Sequence, residues 1–145
     1  MVDQLVSSNV LKSRITNVLQ PGYAARYHKL KSAIQNHLTP LGFTIPTTTS
    51  GRKGQDDGHH SEVAGGYFLW LHLPPSIRAS DLAQRAIDEE NLKIGSGTLF
   101  QVAGDPLLEL EGRLRLCFAW EEFDALEEGI KRLARVAGRL AAENA

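Results

Sequence analysis

The residues best suited to chemistry lie in one alternating stretch, residues 112–120, Gly-Arg-Leu-Arg-Leu-Cys-Phe-Ala-Trp. Read as an extended strand, it puts Leu114, Leu116, Phe118 and Trp120 on one face and Arg113, Arg115, Cys117 and Ala119 on the other. The first face is apolar and is expected to pack on a core. The second begins with two guanidinium groups and ends with two small residues. An arginine fixed on a strand beside small neighbours can take a carboxylate in a two-pronged grip, because its N–H donors form a planar fork. The competing reading is a surface arginine paired with a nearby glutamate.

Other chemistry-bearing residues form weaker patterns. His59 and His60 with Asp56 and Asp57 offer four metal-ligand types without a fixed spacing. The reading there is a solvated loop and no metal site. Gly51-Arg-Lys-Gly54 lacks the spacing and the strand-to-helix setting of a phosphate-binding loop. The single cysteine, Cys117, excludes an internal disulfide and a multi-cysteine zinc site, and is expected to be a small packing residue.

The elements that must position these residues follow from patterning. Leu11, Ile15 and Val18–Leu19 suggest an N-terminal helix over residues 2–19. Gln20-Pro21-Gly22 punctuates the chain, and Tyr23, Tyr27, Leu30, Ile34 and Leu38 predict a second helix that Pro40 and Gly42 end. Arg26, His28, Lys29 and Lys31 lie off its apolar stripe and read as a solvated face. Residues 43–45 are a short strand candidate. Residues 47–62 contain no hydrophobic residue and read as a long flexible loop. Residues 63–74 predict an interior strand, apolar on both faces, with Tyr67, Leu69, Leu71 and Leu73 on one side and Phe68, Trp70 and His72 on the other. A helix over 81–90 follows, with Ser76 or Ser80 as its N-cap. Then come a short strand at 92–94, a glycine-rich turn at 95–100, the arginine strand, and a long amphipathic helix over 121–142 with acids at its start and bases at its end. This order predicts an α+β fold: a two-layer small domain with a mainly antiparallel sheet of three to four strands covered by helices.

The 145 residues suffice for one domain with a real core, and 42% of them are hydrophobic. A net charge of −1 provides no field to draw in nucleic acid or an anionic membrane. The N-terminus does not read as a secretory signal and no stretch approaches a membrane span. The expectation is a soluble, cytoplasmic protein in a reducing compartment.

Taken in order, four pieces resemble the C-terminal small domain of class I/II, fold-type I, pyridoxal-phosphate-dependent aminotransferases, most nearly the branch with aminoadipate-type transaminases. They are Tyr23-Ala-Ala-Arg26 with its helix, Ala64-Gly-Gly-Tyr-Phe-Leu-Trp-Leu-His-Leu-Pro74, Leu92-Lys-Ile-Gly-Ser-Gly-Thr-Leu-Phe100, and Leu114-Arg-Leu-Cys-Phe-Ala119 before an acidic helix start. The resemblance implies an N-terminal helical segment over 1–20, linking to a small domain over 21–145. It implies that Arg115 binds the substrate α-carboxylate, that Gly97 and Phe100 flank the way in for substrate, and that Tyr67 helps to seat the domain. It implies pyridoxal phosphate as cofactor, and amino acids and 2-oxo acids as substrates of the full enzyme. The family's Schiff-base lysine, pyridinium aspartate and phosphate cradle belong to its large domain and have no counterpart in this chain. The chain alone is therefore expected to be inactive and to need the large domain or a partner subunit. The alternative expectation is a non-catalytic interaction module or truncated remnant. An RNA-binding split β-α-β sheet is disfavoured by the absence of a basic face and of the aromatic ribonucleoprotein motif.

Overall fold

The computed structural model describes residues 9–46, 66–102, 104 and 110–144. The predicted loop 47–62, with His59 and His60, and the first eight residues lie outside them.

The described chain begins with helix α1, Val10–Arg14, a π-helical turn, Ile15–Leu19, and helix α2, Gln20–His37. Pro21 falls in the first turn of α2, as expected, but no break separates that helix from the one before it. The backbone stays in the right-handed helical region through Leu19 and Gln20. A proline has no N–H to give to the carbonyl four residues back and its ring crowds that carbonyl. A wider π turn just before it accommodates both. Residues of α1 and the π turn are all exposed, while α2 buries Leu30, Ala33 and Ile34. A 3-10 turn, Thr39–Leu41, closes on Gly42, whose φ of 89° suits a residue without a Cβ.

Three strands form one antiparallel sheet: β1, Phe68–His72; β2, Gly95–Ser96; and β3, Arg113–Cys117. Their order is β1-β3-β2, so the arginine strand is central and the 63–74 segment contributes a strand flanked by β3. On its other side β1 meets a single bridge from Thr44 to His72. The expected strand at 43–45 is reduced to that bridge. The strand expected at 92–94 starts three residues later, because Asn91 ends the preceding helix in a left-handed conformation and Leu92 folds back to donate to the Ala86 carbonyl.

Helix α3, Ala79–Glu90, has neither serine as a cap. Glu111 caps it from across the fold: its carbonyl accepts from the Ala79 N–H (2.9 Å) and its carboxylate from the Ser80 hydroxyl (2.6 Å). Hydrogen bonds from the Ser80 hydroxyl first and the Ser80 N–H, with the Arg78 charge, hold the Glu111 carboxyl below its ordinary range. Helix α4, Ala125–Glu143, begins later than the expected 121, so most of the leading acids lie just ahead of it.

Helices cover one sheet face. Leu69 and Leu71 of β1 and Leu114 and Leu116 of β3 meet Leu30, Ile34, Leu82, Ile130, Leu133 and Val136 in one buried cluster. Leu71, Leu114, Leu133 and Ile34 are fully buried. Burying each such side chain is worth about 1.5–3 kcal/mol relative to exposure. Phe118 stays with this face, but Trp120 lies beyond the strand end and is 87% exposed. Arg26 and Lys29, expected on a solvated face, tie α2 to the chain after β3: Arg26 Nε donates to the Phe118 carbonyl (2.6 Å), and Lys29 meets Asp124 at 3.0 Å. Among the described residues no helix is long and apolar enough to cross a membrane.

Candidate functional site: an arginine held between two aromatic rings

The sheet face opposite the helices carries Phe68, Trp70 and His72 from β1, and Arg113, Arg115 and Cys117 from β3. Arg115 is at its centre. Its backbone partner is Trp70 on one side and Gly95 on the other. Gly95 has no side chain to fill the space beside the arginine. After β2 the chain turns through a 3-10 segment, Gly97–Phe100, which brings the Phe100 ring back into that space. A Cβ on Gly95 would meet the Phe100 ring at 3.2 Å and the Arg115 carbonyl at 3.3 Å. Glycine there lets ring and strand approach.

The guanidinium carbon of Arg115 lies 3.7 Å from the Phe100 ring centre and 4.0 Å from that of Phe68. Trp70 meets Phe100 edge-to-face, with ring centres 5.6 Å apart. Each cation–ring contact is worth about 0.5–1 kcal/mol at an exposed site. Neither ring accepts a conventional hydrogen bond. Among the described residues no carboxylate or carbonyl pairs with the Arg115 side chain. The arginines of α3 and α4 behave differently: Arg85, Arg132, Arg135 and Arg139 all meet glutamates. The expected rival, a surface arginine paired with glutamate, describes those four residues and not Arg115.

Arg115 and Cys117 line a cavity of about 600 Å³ that runs from the sheet edge to the start of α4. Its walls include Phe68, Leu92, Lys93, Ile94, Gly95 and Trp120. Cys117 is exposed, which corrects its reading as a packing residue. It ends the face that begins with Arg113, and the alternation that buries Leu116 turns it outward.

Of the residues expected to act with Arg115, the structure places Phe100 against it. Gly97 is buried behind the site. A Cβ there would lie 2.1 Å from the Leu110 carbonyl oxygen and 2.8 Å from that of Arg113. Its position fits a close backbone approach that seats the turn carrying Phe100. Tyr67 packs elsewhere, edge-to-face on Tyr23 of α2 with ring centres 4.9 Å apart. Sequence reasoning does not single out Phe68, Trp70 or Gly95 as site residues. Strand alternation puts Phe68 and Trp70 on one face; the pairing register with β3 is the missing information.

A guanidinium with its in-plane donors free can take a carboxylate or a phosphate. The helix start that borders the cavity is that of α4, and Glu121 and Glu128 stand in the cavity wall there. Glu127 and Glu128 occupy the first turn. A helix N-terminus attracts a phosphate through its free N–H groups and positive end, and acids at the same place oppose it.

No family model matches the chain. It is similar to a 2-aminoadipate transaminase of Thermus thermophilus, 23% identical over 121 residues, which is 83% of this chain and 28% of that protein. Among solved structures it superposes on the α-aminoadipate aminotransferase LysN of Thermus thermophilus, crystallised with N-(5'-phosphopyridoxyl)-L-leucine. The TM-score is 0.67 at 24% identity, covering 99% of this chain and 32% of LysN. Valine–pyruvate aminotransferase AvtA of Salmonella typhimurium gives a TM-score of 0.73 at 23% identity, covering 97% of this chain and 32% of AvtA. The chain therefore spans under a third of the length of the relatives it matches. Over that span, in sequence pattern and in fold, it resembles a fragment of the pyridoxal-phosphate-dependent aminotransferases.

Proposed function

We propose that this chain is the small, substrate-gripping part of an aminotransferase, with Arg115 as the residue that takes the substrate carboxylate. The observation that carries the reading is the state of that side chain: central on the sheet, half-buried, with two aromatic rings against its guanidinium, and without a hydrogen-bonding partner among the described residues. A guanidinium so placed keeps its in-plane donors for an anion supplied from outside. The reaction class would be amino-group transfer from an amino acid to a 2-oxo acid. Pyridoxal phosphate would supply the electron sink, held by parts of an aminotransferase that the matched span does not include. Alone, the chain binds carboxylates and does not turn amino acids over.

The test combines two measurements on the 145-residue chain. Titration with pyridoxal phosphate and assay with glutamate should give no saturable Schiff-base band and no turnover. Titration with 2-oxoglutarate should give saturable binding that Arg115→Gln removes. A saturable cofactor band lost on replacing one lysine, or carboxylate binding that survives Arg115→Gln, contradicts the reading.

A second reading, a non-catalytic interaction module, is favoured by one observation. Leu11, Ile15, Val18 and Leu19 recur at helical spacing on α1 and the π turn, and all are exposed. An apolar stripe of this kind is suited to a partner surface. Size-exclusion chromatography with light scattering tests it: self-association or co-elution supports it, and a clean monomer that binds no apolar dye undercuts it.

A further inference from the structure

We infer that Phe68 and Phe100 are positioning residues that hold the plane of the Arg115 guanidinium, so that only its in-plane N–H edge is presented to a carboxylate. The inference rests on the carboxylate-binding reading of Arg115 and extends it to two residues on different elements. An arginine side chain is long and loses rotamer freedom when it binds. One aromatic contact restrains it only on that side. Two contacts, at 4.0 Å from the Phe68 ring centre and 3.7 Å from that of Phe100, restrain the guanidinium carbon from two rings at once. What remains free is the rim of donors that a carboxylate matches two at a time. Part of the ordering cost is thus met before the ligand arrives, which raises affinity without adding a contact to the ligand.

The rings are themselves held. Trp70 meets Phe100 edge-to-face, and the bare Cα of Gly95 gives that ring its place. Phe68 stands on β1, on the face opposite Leu69 and Leu71, and is 44% exposed. An exposed phenylalanine on a strand contributes little to the core, and its place against the guanidinium gives it a role there.

The test uses Phe68→Leu, Phe100→Leu and Phe100→Tyr in the full chain. In the ligand-free protein, the Arg115 Nε–H and δ-methylene resonances should stand upfield of random-coil values because aromatic rings flank them. Each leucine variant should move them back; Phe100→Tyr, which keeps the ring, should not. With succinate as probe, each leucine variant should weaken binding about two- to five-fold, the scale of one exposed cation–ring contact. Phe100→Tyr should restore it.

Phe68→Leu is the variant that keeps the question answerable if Phe100→Leu fails to fold, since Phe68 is outside the buried cluster. Arg115 resonances at random-coil positions in the parent chain, or unmoved by Phe68→Leu, overturn the inference. So does succinate affinity that falls with Arg115→Gln but is untouched by both leucine variants; the carboxylate reading then stands without the clamp. Succinate affinity unchanged by Arg115→Gln refutes the carboxylate reading itself.

Discussion

Replacing Gly97 by alanine adds one methyl group at a place with no room for it. The new Cβ would stand 2.1 Å from the Leu110 carbonyl oxygen and 2.8 Å from that of Arg113. Both obstacles are backbone atoms, and neither can rotate away as a side chain can. The Arg113 N–H donates to the Leu110 carbonyl, so the two obstructing residues are joined to each other at 3.1 Å. Relief requires the 3-10 turn to lift off β3. Overpacking by one methylene costs about 1–3 kcal/mol where side chains can shift, and a clash with two backbone oxygens belongs at about 3 kcal/mol. Against the roughly 5–15 kcal/mol typical of a whole domain, that is a large fraction. Two alanine substitutions calibrate it. Gly138 lies within α4 with nothing within 4 Å of an added Cβ, so Gly138→Ala should stabilise by about 0.5–1 kcal/mol through helix propensity. Gly95→Ala meets its neighbours at 3.2–3.4 Å and should cost about 1 kcal/mol while displacing Phe100. Equilibrium urea unfolding of the three variants at a shared m value gives the order directly. If Gly97→Ala matches Gly138→Ala in midpoint, the close packing of the turn on β3 is wrong, and with it the placement of Phe100 over Arg115.

Acid should loosen the junction of α3 and α4. Glu90 is held down to about 2 from an ordinary 4.5 by hydrogen bonds from Arg135 first and Arg139 second. Its folded value is below its unfolded one, so its contribution is full above pH 4.5 and is lost as pH falls toward 2. Melting temperature should therefore drop across that window, and Glu90→Gln should remove part of the drop; an identical pH profile in the variant counts against the pairing. Cys117 should react with iodoacetamide in the folded chain, and saturating succinate should slow the reaction, because Cys117 and Arg115 line one cavity. Unaltered kinetics with succinate would separate the thiol from the carboxylate site. Leu133→Ala, at a fully buried position in the central cluster, should cost about 2–5 kcal/mol in urea unfolding.

Much of the fold was legible because periodicity reports burial. The period of two in 113–117 marks β3 and both of its faces, and the spacing of Leu126, Ile130, Leu133 and Leu140 marks the buried stripe of α4. Failures came where partners distant in sequence decide. Ser76 and Ser80 look like caps, yet the cap of α3 is Glu111, thirty-one residues beyond Ser80. Pro21 does stand in the first turn of α2, yet a π turn joins it to the preceding helix without a break. Trp120 continues the apolar alternation, but the strand ends at Cys117 and leaves the ring outside. The arginine of the site was visible from its strand. Phe100 was named beside it only through the family resemblance, and Phe68 was not named at all, because it reaches Arg115 only through the register of β1 on β3.

The central claim is that Arg115 is a carboxylate receptor whose fork, and not merely its charge, does the binding. Its most direct test is isothermal titration of 2-oxoglutarate into the parent chain, Arg115→Lys and Arg115→Gln. Charge-assisted hydrogen bonds are worth about 1.5–3 kcal/mol, so removing the group should weaken binding about ten- to a hundred-fold. Lysine keeps the charge and loses the planar fork, so it should recover only a small part. Equal affinity in all three proteins would contradict the account, and full recovery by lysine would leave a cation there without the two-pronged grip.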